Sequence, residues 1–138
     1  MLDQVQKPTR YTGGEMNTQL KPWDSAKLHF AFCFPDTYEV GMSHLGMKIL
    51  YAAMNQQPDM LCERAFMPWV DMMDLMKQEK VPLFTLESRS PLSAFDVVGF
   101  TLQYEMSYSN ILAMLELGGI PLLRENRREE DPIVVAGG

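Results

Sequence analysis

Histidine and cysteine are scarce in this chain, with two of each in 138 residues. Cys33, Cys62, His29 and His44 show none of the paired spacings a zinc site uses, so a zinc centre is excluded as a reading. Two thiols cannot make a disulfide framework. Both lie in apolar, strand-like segments and read as small core residues, not reactive groups. Positive charge is short as well. Twelve Lys and Arg face eighteen Asp and Glu, a formal net charge of −6, which works against a nucleic-acid surface. The charged run at residues 124–131 mixes signs and reads as a solvated loop. No apolar run approaches the roughly 18 residues of a membrane span. The first seven residues have no signal-peptide character. The expected location is the cytoplasm, with neither membrane nor nucleic acid as a partner.

Several catalytic fingerprints are missing too. There is no Walker loop, no Gly-x-Ser-x-Gly, and no Gly-x-Gly-x-x-Gly after the first apolar run; Gly41 and Gly46 are too far apart for it. No plausible base accompanies a nucleophile. On its residues alone the chain reads as a binder.

What is present is a 46% hydrophobic composition with a strand–helix rhythm, typical of a globular domain. Residues 1–27 are polar, broken by Pro8, Gly13, Gly14 and Pro22, and read as an N-terminal arm. Residues 28–34 are apolar on nearly both faces, the mark of a buried parallel strand. Residues 35–41 read as a loop. Met42, Leu45, Gly46, Ile49, Leu50 and Ala53 then recur at helical spacing, with Ser43 near the helix start. A second strand is expected over 60–66. Pro68 is expected to open a helix whose stripe is Trp69, Met72, Met73 and Met76. Residues 83–87 read as a short additional or edge strand, and 95–102 as another buried one. Ser107 and Ser109 are candidate caps for a helix stopped by Gly118-Gly119. Residues 132–136 make a last strand. Most of the twelve methionines fall at helical spacing and read as core.

This alternation predicts an α/β, Rossmann-like domain over 28–138: a parallel sheet with helices on both faces. Four strands ending on a bare Gly-Gly leave an edge uncovered, so the domain is expected to be truncated at its C-terminus. Ligands of such sheets bind beyond the carboxyl ends of the strands. The candidate residues at those ends are Tyr38, Glu39, Gly41, Ser43, His44 and Gly46 after the first strand, and Thr101, Gln103, Tyr104 and Glu105 after the third. Gly137 and Gly138 follow the fourth. His44 is the candidate metal ligand, since imidazole is a common one; the competing reading is a helix-start histidine. Thr101 and Gln103 fall on one side and could hydrogen-bond a ligand, or else help cap the next helix. Gly137-Gly138 allows close approach to backbone, or is a turn.

Several stretches together resemble one family. They are Arg10-Tyr11-Thr12-Gly13-Gly14-Glu15; Phe34-Pro35-Asp36-Thr37-Tyr38-Glu39-Val40-Gly41-Met42-Ser43; Leu86-Glu87-Ser88; residues 95–105; and Val134-Val135-Ala136-Gly137-Gly138. They resemble the N-terminal, cobalamin-binding-like region of radical S-adenosylmethionine (radical SAM) proteins, over nearly the whole chain from Pro8. The resemblance implies a cobalamin-binding Rossmann-like fold. It also implies a downstream barrel, the partner of this domain, carrying an iron–sulfur cluster and S-adenosylmethionine. The cluster needs close-spaced thiolates, which Cys33 and Cys62 are not. Typical cobalamin domains carry Asp-x-His-x-x-Gly after the first strand and Ser-x-Leu after a later one. Here His44 stands with Met42 in the Asp place and Gly46 two positions on, and Thr101-Leu102-Gln103 stands for Ser-x-Leu. Cobalamin is the cofactor so implied. The alternative is a docking module without a cofactor, which predicts a crevice filled by side chains. A free-standing flavin or nucleotide binder is disfavoured, because no phosphate-cradling loop follows the first strand.

Overall fold

A computed structural model describes residues 20–42, 44–103 and 105–137, together with Gln4. Its elements run β1 (Leu28–Phe34), α1 (Tyr38–Met42), α2 (Leu45–Asn55), β2 (Met60–Phe66), α3 (Val70–Glu79), β3 (Val97–Thr101), α4 (Tyr108–Leu117) and β4 (Ile133–Gly137). The four strands form one sheet in the order β2-β1-β3-β4, and every pairing is parallel. The expected α/β Rossmann-like arrangement is therefore present.

The apolar runs work because both faces of the sheet are used. Ala31 and Cys33 of β1, Leu61 and Ala65 of β2, and Val98 and Phe100 of β3 join one core. That core is roofed by Met72 and Met76 of α3 and by Met114 and Leu115 of α4. The alternate residues Phe32, Phe34, Cys62 and Phe66 join a second core with Met47 and Tyr51 of α2. Successive strand residues point to opposite faces, so a strand covered on both must be apolar throughout. Cys33 and Cys62 fall one in each core, and burial pushes both thiols well above their usual range. They are inert packing groups.

Several local expectations are corrected. Residues 35–41 do not stay a loop: Tyr38–Met42 forms a helical turn, and His44, not Ser43, caps α2. Ser43 itself lies outside the described residues, as do Tyr104, Gly138 and the 10–15 stretch. Pro68 sits ahead of its helix, which starts at Val70 behind Trp69. Ser107 precedes α4 without a side-chain capping bond. Residues 83–87 are not a strand. They form a strap with one isolated bridge, Phe84 to Pro91, laid along the outer edge of β2.

That strap is held by two charges set side by side in β2. Glu63 and Arg64 are buried on opposite faces. Oε1 of Glu63 accepts from the hydroxyls of Thr85 and Ser88, both at 2.6 Å. Arg64 donates from Nε to Glu87 at 2.8 Å, and Tyr51 donates its hydroxyl to the same carboxylate oxygen at 2.6 Å. Burial is the leading influence on Glu87 and raises its carboxyl above the ordinary value, against the lowering effect of Arg64 and the hydrogen bonds. Among the described residues no helix is long and apolar enough to cross a membrane.

Candidate functional site

The route of the chain decides where the molecule is open. The connections through α3 and α4 pack on the first core, so among the described helices α1 and α2 alone lie on the second face, beside Leu86 of the strap. They cover β1 and β2, and among the described residues β3 and β4 are left bare there. The result is a groove of about 600 Å3 between α2 and the sheet, a size usual for small-molecule sites.

Its floor is Phe30 and Phe32 of β1, Gly99 and Thr101 of β3, and Val135 and Gly137 of β4. Its wall is Met47, Leu50 and Met54 of α2, and its polar end is His44, Gly46 and Gln103. Gly99 lets the Phe30 ring lie over the strand. A Cβ there would lie 2.6 Å from Cζ of Phe30, whose ring rests across the strand. The rings of Phe30 and Phe32 meet edge to face, 6.2 Å apart. The floor is thus aromatic along β1 and small or aliphatic along β3 and β4.

Thr101 ends this floor at the strand's carboxyl edge. It is 8% exposed, and its Oγ1 is the one buried side-chain polar atom without a hydrogen-bond partner among the described residues. An unsatisfied buried hydroxyl costs about 1–3 kcal/mol, so its persistence calls for an explanation. Beside it, His44 and Gln103 bridge the groove mouth, Nε2 to Oε1, at 3.2 Å. His44 Nδ1 accepts the Met47 N–H at 3.1 Å, which caps α2.

The structure brings five of the candidate residues to this groove: His44, Gly46, Thr101, Gln103 and Gly137. It places others elsewhere. Tyr38 packs its ring edge on Phe66 in the second core, at 5.5 Å. Gly41 is buried where any Cβ would overlap the Phe66 ring, so its smallness serves packing. Glu39 and Glu105 are exposed, on α1 and on the turn before α4. Sequence reasoning missed the floor residues Phe30, Phe32, Gly99 and Val135. Only Gly99, a glycine inside a strand, carried a signal of close approach. No group of three potential metal ligands occurs among the described residues.

The all-parallel sheet places the domain in the α/β Rossmann-like class, with an open, mostly apolar groove reaching its carboxyl edge. Residues 46–138 match the family described as radical SAM proteins, N-terminal. That match spans about two-thirds of the chain, and the chain belongs to this family. No curated protein and no solved structure matches it.

Proposed function

We propose that this region is the ligand-holding part of a radical SAM enzyme, and that its groove takes a corrinoid or a substrate of similar build. Such a ligand has a flat apolar body and a hydrogen-bonding edge. The observation that carries the reading is the open groove lined by Thr101 and Gln103, at whose edge the buried Thr101 hydroxyl has no hydrogen-bond partner. Phe30, Phe32 and Gly99 offer a surface for a flat ring system, Thr101 and Gln103 offer polar contacts, and Gly137 leaves the end of β4 clear. A bound corrinoid would supply radical chemistry through its metal. This chain's own work would be to shelter that group from water and present it to a barrel downstream in the same polypeptide. The barrel would carry the iron–sulfur cluster and S-adenosylmethionine.

The test is to incubate the full chain with hydroxocobalamin, desalt it, and record the visible spectrum. Corrinoid bands are expected to co-elute with the protein, and the Thr101→Val chain is expected to retain about tenfold less, the loss of one well-made hydrogen bond. A colourless protein after desalting overturns the corrinoid assignment. A second reading, docking of a protein segment without a cofactor, is favoured by the apolar wall and by the exposure of Leu45, Ile49 and Leu50 on α2. It expects the colourless outcome, with the groove protected from proteolysis or chemical labelling only when a partner is present.

A further inference from the structure

We infer that His44 is a positioning residue locked in its Nε2–H tautomer, and that any corrinoid in the groove is held without a histidine–cobalt bond. The inference deepens the proposed function and, for its second half, rests on it.

The argument begins at the first turn of α2. The Met47 backbone N–H donates to Nδ1 of His44 at 3.1 Å. A backbone N–H can only donate, so Nδ1 must present its lone pair. A neutral imidazole carries one proton, and that proton is therefore on Nε2. Nε2 in turn faces Oε1 of Gln103 at 3.2 Å, and in this tautomer it donates there. The ring is also boxed in. Phe34 lies at 5.4 Å between centroids, and a Cβ added at Gly46 would stand 3.0 Å from the imidazole Cε1. The ring leaves little room for a side chain at Gly46.

Nδ1 is already taken by the Met47 N–H, and metal ligation through Nε2 would require the reverse arrangement. Nε2 would need the lone pair and Nδ1 the proton, which would set two donors, Nδ1–H and the Met47 N–H, against each other. Helix α2 would lose its cap and Gln103 its partner. The residues therefore fit a flat ligand lying on the sheet but do not fit a histidine ligand to its metal. His44 instead ties the start of α2 to the segment after β3, 59 residues away, and so fixes Gln103 across the groove mouth above Thr101.

The test has two arms on the full, uniformly 15N-labelled chain. Long-range 1H–15N correlation spectra read the tautomer directly, and the chain's two histidines are told apart with His44→Asn. The expected pattern is a protonated Nε2 and a bare Nδ1, with or without hydroxocobalamin; a protonated Nδ1 overturns the proposal. In the second arm the protein-bound corrinoid is reduced to cobalt(II) and its electron paramagnetic resonance recorded. A 15N imidazole on cobalt would split the lines into doublets, whereas the corrinoid's own 14N base gives triplets and no axial nitrogen gives neither. Doublets overturn the proposal; triplets or unsplit lines support it. If no corrinoid binds, the proposed cofactor falls, while the tautomer measurement still decides the role of His44.

Discussion

The two edges of the sheet are treated in opposite ways. The outer side of β2 is capped locally by side chains and by the strap at 83–91. Lys21 Nζ donates to the Met60 carbonyl at 2.7 Å. The Asn55 carboxamide satisfies both the N–H and the C=O of Cys62, each at 3.0 Å. Glu87 accepts the Arg64 N–H, and Leu86 donates to the Arg64 carbonyl at 2.9 Å. On β4, Ile133 and Gly137 bond inward to β3, so Val134 and Ala136 turn their peptide groups outward. Among the described residues nothing meets them. Ile133 and Val135 are 66% and 44% exposed, and no charge interrupts Ile133–Gly137. The lesson is that edge protection is written in side chains placed at a strand's flank, and among the described residues such side chains stand on one edge only. The unguarded edge is a template for further main-chain pairing.

The contrast can be broken at its strongest point. Arg64→Leu leaves Glu87 buried without its cation and should cost about 3–5 kcal/mol in urea unfolding. Next, Leu61→Ala under the guarded edge should cost about 2–5 kcal/mol, whereas Val135→Ala at the open edge should stay within about 0.5 kcal/mol. Equal losses at the two positions would erase the distinction. Thr101→Val tests the groove between them: removing an unsatisfied hydroxyl at constant volume should stabilise the chain by about 1 kcal/mol, read as a raised melting temperature. The smallest effect is a slope. Because burial raises the Glu87 carboxyl, its contribution to stability is complete below the ordinary value near 4.5 and drains away as pH climbs through the folded value. Stability relative to Glu87→Gln should therefore decline as pH rises above 4.5, measured by denaturant titrations across a pH series.

The four strands were legible in the sequence to within about two residues, because a strand covered on both faces must be a continuous apolar run. The strap at 83–91 was not, since its pattern imitates a strand while its bonds go to one flank of β2. Its signal was the pair Glu63-Arg64 inside an otherwise apolar segment, two charges that demand buried partners. The gathering of His44, Thr101 and Gly137 followed from topology, because all three lie near strand ends. Tyr38 also lies near one, but the helical turn at 38–42 carries it into the second core. The groove floor was illegible for a different reason. Whether Phe30 and Val135 are covered depends on which face each crossover takes, and a single strand's sequence does not record that.

The placement of the two tryptophans gives the molecule a pair of optical windows. Trp23 stacks on His29 at the start of β1, with centroids 4.1 Å apart and planes 15° from parallel, while Trp69 stands half-exposed beyond the end of β2. Emission from the first reports on the foot of the sheet and emission from the second on its upper rim. With either indole replaced by phenylalanine, a fluorometer can tell events at one end of the strands from events at the other.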